Sequence, residues 1–367
     1  LRLKGKVNIP AEYSIKITQG LSADFTNSLT VIAGEEKVEA RSAFKSSVNM
    51  VDLSATVTTT FSGYENFELA INHDGPGSRF ETSARVVTPF AGYERMGAEV
   101  THSLAGTALR TTVKVDTPLA HIPTVIVSLR HDGNVQDFTT VLSAEYMNKN
   151  VEMTTRFNMG STVSGSITLT TPYRGIEKFV IGFNHEGNLA NFKTGATVET
   201  PFRGYEKVFA EYTHRSTRTG FTCNGKFEST IPHFQTIHLI INHDMPAVNT
   251  MNSNIALETS YPGYQRFAVS VNHQGDYISM RSSGAIETPF SNFDRFSYEI
   301  NHDASNMRKI SSSADVNTPI GSFGHVVTFN GNANKFKASV AVTTPFREHQ
   351  RYEISMDHTA RTTRSEE

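Results

Sequence analysis

The chain has 367 residues, 38% of them hydrophobic and 19% charged, with a formal net charge of −2 at pH 7. That balance gives no basic bias toward nucleic acid. No run of about 18 apolar residues predicts a transmembrane helix, and a single cysteine, Cys223, rules out an intrachain disulfide framework.

Residues 1–57 keep only a period-two alternation, as in Val51, Leu53, Ala55, Val57 and Thr59, and read as degenerate strand repeats. Residues 58–358 repeat with a period of about 29 residues, the mark of one supersecondary unit copied many times. A turn of the form Thr-Pro-Phe-x-Gly-Tyr-Glu, exact at Thr88–Glu94 and Thr200–Glu206, varied at Thr171–Glu177 and looser at Thr288–Phe290 and Thr344–Phe346, precedes an alternating run such as Phe179, Ile181, Phe183. That run ends at a reversal such as Asn184-His185-Glu186-Gly187, and a second run such as Phe192, Thr194, Ala196, Val198 follows. Period two with β-branched and aromatic residues is a strand signal. Asn, Asp, Gly and Pro at both ends supply turns. The prediction is all-β: a long antiparallel meander of hairpins forming one large amphipathic sheet of roughly 24 strands, although the length alone suggests two or three domains. One repeat is shortened between Pro118 and Pro172, and after Pro319 the alternation blurs as at a bulge. Residues 359–367 are a tail. The chain starts at Leu1 inside the pattern and is read as a piece of a longer polypeptide.

A histidine stands thirteen residues after the repeat prolines, at His102, His185, His214, His302 and His358, except after Pro319, where the position is Asn332. His73, His131, His243 and His273 keep the phase where Thr60, Pro118, Thr230 and Ser260 hold the proline slot. On alternate strands these imidazoles are nearly 10 Å apart, too far to share a metal whose bonds are near 2 Å. Local packing at the hairpin shoulder is the favoured reading, a pH-responsive row the second. Any Ser–His proximity recurs with the repeat, so no unique catalytic centre is expected and the chain is read as no enzyme and as needing no cofactor. Cys223 lies on the apolar phase and reads as a small buried hydrophobe.

Each strand has an apolar and a polar edge, so the sheet has one greasy face. About 14 residues per strand and turn leave no sequence for a covering layer, and soluble monomers rarely expose more than a few hundred Å² of continuous apolar surface. Phe67, Leu69, Ile71, Phe179, Ile181, Phe183, Phe267, Val269, Val271, Phe296, Tyr298 and Ile300 are expected on that face and in contact with lipid. Lys193, Glu199, Arg281 and Glu287 belong to the other. Aromatic residues of the Pro-Phe-x-Gly-Tyr turns, such as Phe90, Tyr93, Phe202 and Tyr205, are expected both to staple turns and to line an edge at a lipid–water boundary.

The hairpin pattern with these turns and the Asn184–Gly187 reversal resembles the repeated β-strand region of the large lipid transfer proteins (apolipophorin, apolipoprotein B, vitellogenin), and is most similar to the invertebrate apolipophorin branch. The resemblance covers most of residues 58–358. It implies a secreted, extracellular lipid-bearing protein whose strands wrap a lipid particle or line a lipid cavity. Its partners would be lipids and the remainder of a larger polypeptide or a sister subunit. The family's N-terminal lipid-cavity module with its helical layer has no counterpart here. The absence of any Asn-x-Ser/Thr acceptor points mildly the other way, against exposure in a secretory route. Alternatives are a self-assembling structural repeat protein and, disfavoured by the absence of Trp and by short connections, an outer-membrane barrel. Arg361-Thr362-Thr363-Arg364 has the form of a minimal processing site, but so does Arg215-Ser216-Thr217-Arg218.

Overall fold

A residue whose side chain alternates from one side of an extended backbone to the other needs a hydrogen-bonding neighbour on each flank, and here the next segment of chain supplies it. The computed structural model describes residues 13–19 and 24–360. Among them there is no helix. The 25 strands are antiparallel members of a meander. The chain divides into two units, Leu1–Val180 and Ile181–Glu367.

The first unit carries β1 (Tyr13–Gln19), β2 (Phe25–Ala33), β3 (Glu36–Ser47), β4 (Met50–Thr59), β5 (Asn66–Asp74), β6 (Arg79–Val87), β7 (Arg95–Ala105), β8 (Ala108–Asp116), β9 (Thr124–Gly133), β10 (Asp137–Tyr146), β11 (Lys149–Met159) and β12 (Thr162–Thr170). β13 (Lys178–Asn188) spans the division between Val180 and Ile181. The second unit continues with β14 (Asn191–Glu199), β15 (Lys207–Ser216), β16 (Gly220–Ser229), β17 (Thr236–Ala247), β18 (Thr250–Thr259), β19 (Arg266–Gly275), β20 (Ser279–Glu287), β21 (Arg295–Asn306), β22 (Lys309–Thr318), β23 (Gly321–Asn332), β24 (Lys335–Thr343) and β25 (Arg351–Thr359). From β1 to β12, and again from β14 to β25, each strand contacts its sequence neighbours, and neither series closes on itself.

The two kinds of link are built differently. In the Thr-Pro-Phe-x-Gly-Tyr-Glu turns the Thr200 hydroxyl donates to the Tyr205 carbonyl at 2.6 Å and accepts from Phe202 N–H at 3.3 Å, while Thr200 N–H reaches the Glu206 carbonyl at 3.0 Å. Thr88 and Thr288 repeat the arrangement. Gly204, at φ 83°, holds a left-handed position that Asn292 and His233 fill in other copies. The opposite links are tight reversals closed by Asx side chains: Asn188 Oδ1 accepts from Ala190 and Asn191 N–H at 2.9 and 3.0 Å.

No bulge follows Pro319. Thr318-Pro319-Ile320-Gly321 is a short turn, and β23 pairs without a register shift to both β22 and β24. The blurred alternation comes from the shorter turn, which shifts the phase so that Phe329, 5.4 Å ring to ring from Phe336, holds the face position taken by histidine in other copies. Register shifts fall instead at Asp244/Ala247 and Asp303/Asn306.

Almost nothing is buried. Among the described residues the buried hydrophobic side chains are Cys223, Ala256, Ala268 and Ala341, and no polar side chain is buried. The accessible surface is 25977 Å², whereas a compact monomer of this mass exposes about 14,500 Å². The cohesion is therefore in the ladders and the cross-strand side-chain pairs, not in a core.

Candidate functional site

Directly paired residues of antiparallel strands point to the same side, so the register fixes the two faces strand by strand. In the first unit Leu53, Ile71 and Ala84 follow one another across β4, β5 and β6, as do Val57 with Phe67 and Ala55 with Leu69. The same side continues through Val100, Val113, Val127 and Ala144 to Val151. Along β2–β12 its positions hold no Asp, Glu, Lys or Arg except Glu36 and Lys149, each at a hairpin end.

In the second unit Ile241, Ile255, Val269 and Ile286 form one cross-strand line from β17 to β20, continued by Phe296 on β21. Phe267, Val271, Tyr298 and Ile300 stand on that side too. Along β14–β25 the side contains no Asp, Glu, Lys or Arg at all. On β13, Phe179, Ile181, Phe183 and His185 alternate to one side. His185 lies 5.7 Å ring to ring from Phe192, whereas Asn184 turns its amide toward the opposite-face Gly195. The face is open: Ile255, Val269 and Ile286 are 46%, 42% and 48% exposed although they neighbour one another.

The opposite face carries the charge. Lys193 pairs with Glu211 at 3.0 Å and Lys226 with Glu228 at 2.6 Å, and Arg266 bridges Glu258 and Glu287, the latter also approached by Arg295. Arg281 and Glu287 share this side with Arg266. Its depressions are open grooves between side-chain rows, such as that bordered by Asn72, Arg85, Glu99 and Asp116.

The histidines lie on the apolar side, near the reversals. His73, His131, His185 and His214 stack against a phenylalanine of the next strand, and His102, His243 and His358 against one of the preceding strand. His185, Phe192, His214, Phe221 and His243 make a continuous row, with ring centroids 5.7, 5.4, 6.0 and 5.4 Å apart. Nδ1 of His73, His102 and His131 lies 2.7–2.9 Å from the hydroxyls of Thr82, Thr111 and Thr140. His243 meets Ser253 at 2.7 Å, and His214 meets the sulfur of the buried Cys223 at 3.2 Å. The Tyr212 phenol, hydrogen-bonded to Cys223 and partly desolvated, is held above its ordinary value. No group of three metal-ligating residues occurs among the described residues.

At the other end of the strands the turn aromatics interlock. Phe90 packs edge-on against Tyr64 and Phe67 at 5.7 and 5.6 Å, and Phe290 does the same to Tyr264 and Phe267 at 5.7 and 5.8 Å. Backbone N–H of Gly92 donates to the Glu94 carboxylate at 2.9 Å, which holds that carboxyl below its ordinary range; Glu177 and Glu206 are lowered by Gly175 and Gly204 in the same way.

Two features escaped the sequence reading. The reversals present apolar tips: Val48, Val135, Leu189 and Val248 are 99%, 87%, 96% and 93% exposed. The second is the His–Phe stack, whose spacing the sequence carries. Phe follows His by seven residues at His73, His131, His185 and His214, and the interval stretches to eight, at His243–Met251 and His302–Ile310, where a register shift inserts a residue. Arg215–Arg218 sits in the β15–β16 reversal, where Thr217 N–H reaches Gly220 O. Arg361–Arg364 lies outside the described residues.

No protein family, curated protein or solved structure matches the chain.

Proposed function

We propose that this chain binds and carries lipid without catalysis, its apolar face covering lipid in a lipoprotein particle or a lipid-lined cavity of a larger secreted assembly. The observation that carries the reading is a face without any Asp, Glu, Lys or Arg along β14–β25 that no layer of the unit covers. Apolar surface of that kind is driven from water at about 25 cal/mol per Å². A second protein layer would also cover it, but close packing demands complementary large and small residues. Here Val, Ile, Ala and Thr recur in the same rows from strand to strand, which suits a fluid partner. The aromatic turns at one margin, Phe90 and Tyr264 among them, suit a lipid–water boundary. The proposed family is the large lipid transfer proteins, on the turn and reversal motifs described above.

The test is extraction and mass spectrometry of lipid from the natively isolated chain, followed by delipidation. Stoichiometric lipid, and new binding of an apolar dye once lipid is removed, are expected. A delipidated chain that stays monomeric with no newly exposed apolar surface would overturn the reading. Sheet-to-sheet self-association without lipid would favour the structural alternative.

A further inference from the structure

We propose that the row of imidazoles makes lipid coverage of this face depend on pH: lipid is held while the row is neutral and released as it protonates. The inference rests on the lipid reading above. Its basis is the placement of His185, His214, His243, His273 and His302, which share with His325 and His358 a face that carries no Lys or Arg in the second unit.

Nothing in the unit is packed over these rings, so the groups that face them come from flanking strands. Around His214 they are Phe192, Phe221, Tyr212, Cys223 and Ser216. Around His243 they are Phe221 and Ser253, and around His273 Met251 and Ser282. His302 lies between Met280 and Ser312. Of these only Tyr212 and Cys223 titrate, and neither gains positive charge. Glu186, Arg215, Asp244 and Asp303, the charged neighbours in sequence, alternate to the other face.

The bare sheet tolerates a protonated row. Nδ1–H of His243 can donate to the Ser253 hydroxyl, Nε2–H of His214 to Ser216 and Nε2–H of His273 to the Gly275 carbonyl, and the phenylalanine faces beside His185, His214 and His243 favour a stacked cation. Imidazoles on alternate strands are about 10 Å apart, beyond the ~8 Å screening length at physiological salt. A lipid cover removes water and offers no counter-charge, so coverage and protonation oppose each other. The sign follows from linkage. A group that binds protons less well when covered adds to coverage at pH above its free titration range, and that contribution is lost as pH falls through it. Imidazole ordinarily changes charge between about pH 5 and 8. An imidazole whose proton affinity drops tenfold on coverage weakens coverage by up to about tenfold once protonated.

The experiment is flotation of the full chain with triolein emulsion coated with zwitterionic phosphatidylcholine, at pH 7.5 and 5.5. Circular dichroism accompanies it at both values. We expect wild-type affinity to fall at least about tenfold at the lower pH with strand content unchanged, and His→Gln at residues 185, 214, 243, 273 and 302 to shrink the fall below about threefold. Equal wild-type affinity at both pH values overturns the pH inference and leaves the lipid reading standing. No adsorption at either pH overturns the lipid reading itself. A variant that keeps the full pH effect, or a wild-type sheet that melts at pH 5.5, overturns the assignment to these rings. Should the five-fold variant not fold, histidine NMR titration of the wild type decides: imidazole midpoints lower with emulsion than without are expected, and unchanged midpoints overturn the proposal.

Discussion

Val269 and Ser270 are adjacent in β19 and point to opposite faces, which makes them a matched pair for separating lipid contact from sheet stability. Val269 stands between Ile255 and Ile286, Ser270 between Asn254 and Ala285. Val269 is 42% exposed. Full burial of such a side chain is worth about 1.5–3 kcal/mol, so Val269→Asp removes only about 1–2 kcal/mol of contact from the uncovered sheet. Against lipid the same change is far more costly. Asp at the centre of a hydrocarbon layer costs about 2.5–3.5 kcal/mol on insertion scales, or on the order of a hundredfold in affinity. Ser270→Asp adds the same charge to the polar face. Emulsion flotation at neutral pH should show a loss on the order of a hundredfold for Val269→Asp and less than about threefold for Ser270→Asp, with the thermal melt of Val269→Asp lowered by only several degrees and that of Ser270→Asp close to wild type. Equal losses for the two variants, or full adsorption by Val269→Asp, would refute the assignment of the faces to lipid and water.

The remaining expectations concern the links between strands. Gly204→Ala meets open space and only the cost of a left-handed φ, about 1–2 kcal/mol, whereas an added Cβ at Gly187 would collide with the Asn191 carbonyl oxygen. Thermal unfolding should therefore separate the two, and equal shifts would contradict the geometry. Thr200→Val removes the hydroxyl that serves both Tyr205 and Phe202 and should cost about 1–2 kcal/mol, while Thr200→Ser retains most of it in chemical denaturation. The carboxyls of Glu94, Glu177 and Glu206 are lowered in the folded chain, chiefly by glycine N–H groups, so their contribution is present above the ordinary carboxylate range and lost as pH falls through the folded value. Amide exchange at Gly92 and Gly204, corrected for its intrinsic rate, should accelerate below about pH 4. Glu206→Gln should remove that pH dependence at Gly204, and a pH-independent wild type would exclude the carboxylate cap.

The sheet was legible because a period of two survives inspection wherever one face is apolar: Phe267, Val269 and Val271 announce both the strand and its orientation. The turns were legible as turns from Pro, Gly and Asn, but not as structures. Nothing in Thr200-Pro201-Phe202 declares that the hydroxyl is shared between a carbonyl and an amide, since that depends on where the chain returns at Tyr205 and Glu206. The blur after Pro319 had the signal of a bulge because a two-residue turn shifts the phase as an inserted residue does, and only the partner strands distinguish them. Leu189 and Val248 were missed because turns were read for their polar residues, and an apolar residue at a tip breaks no periodicity. The distribution of charge between the faces followed from alternation alone, since a one-residue slip would have moved every lysine and glutamate across the sheet.

Among the described residues of each unit every strand touches only its neighbours in sequence, and this makes length an adjustable dimension. A compact domain that loses an element loses contacts throughout its interior. Here, excision of β19 with β20 would leave β18 facing β21, whose partner side chains are of the same kind. Each hairpin adds two strands, about 10 Å of width along the sheet and roughly 300 Å² of face at strand lengths near 30 Å. Gene duplication or loss of one repeat would thus change the covered area in fixed increments while leaving every other ladder intact, so such a sheet can be cut to the size of its load.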